Sequence, residues 1–241
     1  MRDEADLKVG SYVLNHIVQQ RCQNAGQTPV TFFTVTERLA CDWRAPLPGA
    51  PAQALMAPQR RGDWPAGIDA TSARHAAGLL LLFPVDGRAH VILTVRSAHV
   101  RHSGQVSLPG GEIETDETVE QAALREAREE IALATDDVRL HGRLTPLDIP
   151  VSGFRLHPVV ATLPYAPAVA PSDREVARIL QVPVDTLFEP ATVQWRPMRR
   201  GTVTLDVPGF EVDGAVIWGA TAMVLAEFLA VLGWTGPARR S

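Results

Sequence analysis

Cysteine is scarce in this chain, and an excess of positive charge is absent. Cys22 and Cys41 are its two cysteines, and their spacing matches no metal-binding motif. A chain of 241 residues does not need a disulfide framework to fold, so we expect a reducing, cytoplasmic location. The formal net charge is −4. This excludes a general nucleic-acid binder, because no basic excess is present to neutralise a phosphate backbone.

We also expect no signal peptide, because Met1-Arg2-Asp3-Glu4 has neither a basic start nor an apolar stretch. One segment, residues 215–234, is about as long as a bilayer span. Its single charge, Glu227, falls near the middle, where a membrane helix rarely carries a carboxylate. We therefore expect a helix buried in the protein core and no membrane partner.

Apolar residues make up 46% of the chain, which is enough for one sizeable domain. We divide the sequence into an amino-terminal extension, residues 1–70, and a domain of residues 71–236. In the extension we expect a helix at 7–21, a strand at 30–35 and an irregular, proline-rich linker at 45–67. Its role stays open between covering a site, mediating a homodimer and partial disorder.

The domain mixes strands and helices. Two apolar runs, 78–83 and 89–95, flank the favoured turn dipeptide Asp86-Gly87 and predict a hairpin buried on both faces. Thr118 and Gln121 form a capping-box pattern at the start of a helix over 118–133. Further elements are predicted as strands at 138–145 and 155–163 and helices at 173–180 and 220–232. Strict βα alternation is lacking, so the fold class is α/β of the α+β type, with a mixed sheet covered by helices.

Three carboxylates crowd one face of the 118–133 helix. At 100° per residue, Glu129 falls about 60° to one side of Glu126 and Glu130 about 40° to the other. Like charges at this spacing repel each other, and a hard divalent cation with oxygen ligands would compensate them. Taken alone, such a trio is more often a solvated acidic face.

The residues around the trio change that interpretation. Residues 111–133 read G-x5-E-x7-R-E-A-R-E-E-I-A-L, which resembles the Nudix box, G-x5-E-x7-R-E-U-x-E-E-x-G-U, where U is bulky and apolar. The departures are Ala127, which is small, and Ala132, which replaces the final glycine and should disfavour a left-handed conformation there. The resemblance implies an α/β/α sandwich that uses Mg²⁺ or Mn²⁺ to hydrolyse a diphosphate.

It also implies roles for individual residues. Glu126 and Glu130 become direct metal ligands, and Glu129 completes the shell directly or through water. Gly110 and Gly111 let the backbone approach metal or phosphates closely, with Gly111 a candidate ligand itself. Arg125 orients a neighbouring glutamate, whereas Glu117 is left open between binding metal through water and pairing with Arg125.

A second resemblance concerns the substrate. Residues 92–111 read I-L-T-V-R-S-A-H-V-R-H-S-G-Q-V-S-L-P-G-G, which is similar to the extra motif of the coenzyme A pyrophosphatase branch, L-L-T-x-R-S-x3-R-x3-G-x3-F-P-G-G. The interval between Arg101 and Gly104 is one residue short, and Leu108 replaces phenylalanine. By this resemblance Arg96, Arg101 and Gly104 select the substrate, because guanidinium groups match phosphate oxygens. The alternative for the arginines is ordinary charge after an edge strand.

Segments near Ser152–Val160, Glu175–Val184 and Val216–Ala222 resemble the same branch. The implied reaction is attack of metal-activated water on coenzyme A, giving 3′,5′-ADP and 4′-phosphopantetheine. Glu175 is then a candidate general base or additional ligand; its alternative is a carboxylate at a helix start. Two other functions stay open: hydrolysis of ADP-ribose, NADH or nucleoside triphosphates, and a catalytically silent binding or regulatory protein.

Overall fold

The computed structural model of the protein describes residues 30–42, 46–58, 69–99, 103–172, 174–200 and 203–237. Within these residues the helices are α1 (Phe32–Asp42), α2 (Gly49–Ala54), α3 (Val119–Ile131) and α4 (Gly219–Val231). The strands are β1 (Arg74–Val85), β2 (Arg88–Arg96), β3 (Val106–Ser107), β4 (Gly110–Glu112), β5 (Arg139–Arg143), β6 (Leu147–Ile149), β7 (Phe154–Thr162), β8 (Val176–Pro183), β9 (Val193–Arg200), β10 (Val203–Val212) and β11 (Ala215–Trp218).

The β1–β2 hairpin forms the centre of the larger sheet. Asp86 and Gly87 both have positive φ, 49° and 76°, as a two-residue turn of a twisted hairpin requires. The antiparallel register pairs Leu82 with Val91 and Val85 with Arg88. The predicted hairpin is therefore confirmed.

The sheet is mixed, because β1 runs parallel to β7 but antiparallel to β2 and β4. Alternate residues of β1 enter different cores: Leu79 and Leu81 pack in the cluster with α3, and Leu80 and Leu82 in the cluster with α4. Helices thus cover both faces, which explains why β1 is apolar at consecutive positions. The predicted α+β fold with a mixed sheet is confirmed. A separate sheet contains β9, β10 and β11.

The predicted strand at 30–35 and the predicted helix at 173–180 are wrong. Residues 30–35 lead into helix α1, where Val35 and Leu39 are buried one turn apart; this helical burial outweighs the preference of β-branched residues for strands. Residues 173–180 do not form a helix, because Val176–Pro183 pairs with β2 as strand β8. The segment predicted as an irregular linker contains helix α2. The predicted helix at 7–21 lies outside the described residues.

Helix α4 is buried on nearly all sides, as expected for the apolar segment that contains Glu227. The Glu227 carboxylate is fully buried and accepts hydrogen bonds from Gly49 N, Thr145 N and Gln53 Nε2, at 3.2, 3.1 and 2.8 Å. These donors satisfy the buried charge. Among the helices of the described residues, none has the length and apolar character that a bilayer crossing needs.

Candidate active site

One cavity of about 350 Å³ lies between the start of β4, helix α3 and the end of β2. Its lining consists of Arg96, Gly110, Gly111, Glu112, Glu126, Glu129, Glu130, Ser172 and Glu175. Seven of these residues were predicted from the sequence, and the fold brings them together. Glu112 and Ser172 were not predicted. Arg101 lies outside the described residues.

Helix α3 carries the acidic trio. The Thr118 side chain accepts a hydrogen bond from Gln121 N, and the Gln121 side chain accepts one from Thr118 N, so the predicted capping box is present. Ala123, Ala127 and Ile131 are buried against the sheet. This packing fixes the rotation of the helix, and the face bearing Glu126 and Glu130 consequently borders the cavity. The small Ala127 fits here because it is fully buried.

Glu130 is the most buried carboxylate of the cavity, with 4% of its surface exposed. Its Oε2 accepts a hydrogen bond from Gly110 N at 3.1 Å. Burial raises the pKa of Glu130 to about 7 although that hydrogen bond opposes the rise. Burial also raises the pKa of Glu126. Both acids therefore occupy positions that favour a neutral group or a bound cation.

Arg125 lies behind the cavity and holds the surrounding acids in place. Its Nε and Nη2 contact both carboxylate oxygens of Glu117 at 2.9 and 3.1 Å, and its Nη1 contacts Glu126 Oε1 at 2.8 Å and Glu129 Oε2 at 3.3 Å. Its Nη2 also donates to Glu112 O at 3.0 Å. Hydrogen bonding to Arg125 lowers the pKa of Glu117. In this geometry Glu117 pairs with Arg125, and the arginine orients Glu126.

The two glycines before the helix are needed because the chain passes very close to its neighbours. A Cβ at Gly110 would lie 2.2 Å from Ala77 O, and one at Gly111 would lie 2.3 Å from Glu126 Oε1. A side chain at either position would displace β1 or the Glu126 carboxylate. Gly104, by contrast, is exposed, has φ of 76° and would meet nothing within 4 Å. Its N–H donates to Arg96 O at 2.9 Å, and it does not line the cavity.

Glu175 comes from a turn that precedes β8. No helix begins there, so the interpretation of Glu175 as a helix-start carboxylate is wrong. The turn is held by Ser172 N, which donates to Glu130 O at 2.8 Å, and by Ser97 N, which donates to Glu175 O at 2.8 Å. Arg96 precedes Ser97 at the end of β2, which is flanked by other strands. Arg96 therefore does not follow an edge strand.

Hydroxyl groups fix the loop that leads to Gly110. Thr94 Oγ1 lies 2.9 Å from Ser107 Oγ, and Thr221 Oγ1 donates to Val106 O at 2.9 Å. Both threonines are nearly or fully buried. Their hydrogen bonds shape the backbone of the segment that leads to Gly110.

The donor set suits a hard divalent cation, because carboxylate oxygens of Glu126, Glu129, Glu130 and Glu175 face one cavity. Burial of Glu130 beside Glu126 supports this fit, since burial raises the pKa of both carboxyl groups and the neighbouring arginines offset only part of the rise. Within the part of the chain that the structure describes, no three acidic, histidine or cysteine side chains already converge on one point. Metal binding therefore requires the acidic side chains of the cavity to come closer together than they lie here.

A family model described as the NUDIX domain matches residues 73–199. A protein of Yersinia enterocolitica described as the uncharacterized Nudix hydrolase NudL is 34% identical over 163 residues, which cover 66% of this chain and 82% of that protein. Its counterpart in Citrobacter koseri is 33% identical over 184 residues, covering 74% and 90%. Among solved structures, the Nudix hydrolase RenU of M. smegmatis is 22% identical, with a TM-score of 0.48 and coverage of 70% of this chain and 91% of that one. The chain belongs to the Nudix hydrolase family.

Proposed function

We propose that this chain hydrolyses the diphosphate linkage of coenzyme A or its derivatives, giving 3′,5′-ADP and 4′-phosphopantetheine, with Mg²⁺ or Mn²⁺. The observation that carries the hydrolytic part is the convergence of Arg96 and the acids of helix α3 and Glu175 on one cavity. The coenzyme A part is supported by the L-T-V-R-S segment of residues 93–97 and its similarity to that branch.

Each group has a chemical task in this proposal. Glu126 and Glu130 hold the ion, with Glu129 and the Gly111 backbone completing the site. When bound, the ion neutralises diphosphate oxygens and lowers the pKa of water. Glu175 takes the proton from the attacking water or serves as a further ligand.

Arg96 and Arg101 hold the phosphates, and Gly104, whose own backbone is left-handed, donates its N–H to Arg96 O. Arg125 orients Glu126 and contributes no proton, because its hydrogen bonds raise its own pKa further.

A substrate panel tests the proposal. Coenzyme A, dephospho-coenzyme A, ADP-ribose, NADH and a nucleoside triphosphate are assayed with Mg²⁺ and with Mn²⁺, and the products are separated by chromatography. We expect the highest kcat/KM for coenzyme A. Turnover of a nucleoside substrate with equal or higher kcat/KM would leave the chemistry intact and overturn the coenzyme A assignment.

A catalytically silent binding protein is the alternative of another class. The complete set of Glu126, Glu129, Glu130 and Arg125 around the cavity argues against it. It would gain support if no substrate of the panel turned over and Glu126→Gln left the affinity for Mn²⁺ unchanged.

A further inference from the structure

Ser97 makes three hydrogen bonds at the end of β2, just beside the cavity. Its Oγ donates to Arg174 O at 2.6 Å, its N–H donates to Glu175 O at 2.8 Å, and its Oγ accepts from His99 N at 3.3 Å. The side chain is buried, with 5% of the residue surface exposed. Ser97, the residue after β2, thus binds two successive carbonyl groups of the turn that carries Glu175.

The other side of this turn is attached to helix α3. Ser172 N donates to Glu130 O at 2.8 Å, and Glu175 N and Val176 N both donate to Ser172 O, at 3.2 and 3.0 Å. Hydrogen bonds therefore attach the turn to the end of α3 on one side and to the end of β2 on the other. Arg174 and Glu175 are themselves exposed, so packing contributes little to their position and the backbone hydrogen bonds determine it.

We propose that Ser97 is a positioning residue for Glu175: its buried hydroxyl fixes the Arg174 carbonyl and so keeps the Glu175 carboxylate in the cavity beside Glu130. The inference rests on the proposed role of Glu175 in diphosphate hydrolysis. Loss of the hydroxyl leaves Arg174 O without this donor and lets the turn relax outward. Groups that orient a metal-binding or catalytic side chain in this way commonly change affinity or rate by about 10–100-fold when removed.

A double-mutant cycle tests this inference. Ser97→Ala, Glu175→Gln and the double variant are compared for Mn²⁺ affinity, by paramagnetic resonance titration, and for the pH profile of kcat with coenzyme A. Whether Glu175→Gln lowers the Mn²⁺ affinity or kcat, we expect Ser97→Ala to lower the same quantity by about tenfold or more. In the Glu175→Gln background, the Ser97 substitution should then have almost no further effect, because its target is already gone.

Thr192→Val is the matched control. The Thr192 hydroxyl is also buried and donates to a backbone carbonyl, Thr186 O at 2.8 Å, but Thr192 does not line the cavity. We expect the control to keep wild-type affinity and rate. Ser97→Thr should also stay near wild type because it retains a donor, and Ser97→Cys, a weaker donor, replaces Ser97→Ala if the latter melts below the assay temperature.

Three results would overturn the inference. Wild-type values for Ser97→Ala beside a clear loss for Glu175→Gln would refute the positioning role alone. Equal losses from Ser97→Ala in both backgrounds would show that the hydroxyl acts independently of Glu175. An unchanged Glu175→Gln variant would instead remove the proposed role of Glu175, and the positioning role with it.

Discussion

Glu126 and Glu130 lie one helical turn apart but have different surroundings. Glu126 pairs with Arg125, whereas Glu130 is buried deeper and accepts a backbone N–H from Gly110. Burial raises the pKa of both acids; Arg125 opposes the rise at Glu126, whereas the Gly110 N–H and Arg96 oppose it at Glu130. At the residue scale, the two proposed ligands therefore differ in their neighbours: an arginine contacts Glu126 and a backbone N–H contacts Glu130.

Glu126→Gln should abolish most of the activity. Replacing a carboxylate ligand by an amide removes charge from the ion's shell, which should raise the barrier by several kcal/mol, on the order of 100-fold or more in kcat. Steady-state kinetics with coenzyme A measure the effect. Glu120→Gln is the control on the same helix, because Glu120 pairs with Arg143 outside the cavity. Equal losses in both variants would contradict the metal role.

Glu130→Gln should stabilise the metal-free protein above neutral pH. The folded pKa of about 7 lies above the ordinary value of 4.5, so ionisation destabilises the fold as pH rises from about 4.5 and reaches its full effect above 7. Glutamine keeps an acceptor for Gly110 N and carries no charge. We expect a gain of about 3 kcal/mol at pH 8 and almost none at pH 4.5.

Urea denaturation in EDTA at the two pH values measures this difference. Adding Mn²⁺ should reverse the order at pH 8, because the ion stabilises only the form that retains the carboxylate. A pH-independent effect of Glu130→Gln would contradict the assignment of a burial-raised pKa.

Gly111→Ala should weaken metal binding, because the added Cβ would lie 2.3 Å from Glu126 Oε1 and displace the carboxylate. We expect about tenfold lower Mn²⁺ affinity in a resonance titration. Gly209→Ala is the matched control: its Cβ would lie 2.8 Å from Val216 in the separate sheet, so it should cost stability only. Unchanged affinity in Gly111→Ala would show that Glu126 is not a ligand.

At the scale of elements, helix α3 ends in an unexpected way. Ala132, which replaces the final glycine of the family box, has φ of 54° and ψ of 33°. The chain thus keeps the left-handed end of the helix although alanine disfavours that conformation. The strain is tolerated because the buried Ile131 and Leu133 on either side fix the path of the chain.

Ala132→Gly should therefore stabilise the protein by about 1 kcal/mol, because glycine adopts this conformation without a Cβ clash. Urea denaturation measures the change. Ala127→Gly in the interior of the same helix should have the opposite sign, since glycine is unfavourable there. A loss of stability in Ala132→Gly would mean that the left-handed end carries no strain.

The sequence was most informative where structure is local. The Asp86-Gly87 turn and the Thr118 capping box depend on neighbouring residues and were predicted correctly. Residues 176–180, part of the helix predicted at 173–180, form a strand instead, because pairing with β2 depends on residues some eighty to ninety positions earlier. Ser172 was missed for the same reason: its place in the cavity depends on the distant Glu130 carbonyl.

At the scale of the molecule, the segment before the family match is connected to the far end of the chain. Helix α2 packs against α4 in the core that contains Met56, and Glu227 binds Gly49 and Gln53. The domain boundary expected near residue 70 stays a prediction, and so do a homodimer and a cytoplasmic location. Glu227 offers a test of the connection.

Glu227→Ala should destabilise the protein by about 3 kcal/mol, because three donors lose their acceptor in a buried place. Thermal and urea denaturation measure the loss, and proteolysis should then cut within residues 46–58 first. Glu211→Ala is the control, since its exposed pair with Arg196 should contribute about 1 kcal/mol or less. Similar losses of stability in Glu227→Ala and Glu211→Ala would contradict the proposed connection through Glu227.

The bond from Ser172 N to Glu130 O has a consequence for the geometry of the cavity. Residue 130 lines the cavity with its carboxylate and holds the Glu175 turn with its carbonyl. The same turn is held to the end of β2 by Ser97. The position of Glu175 relative to Glu130 therefore depends on how the end of α3 lies against the end of β2.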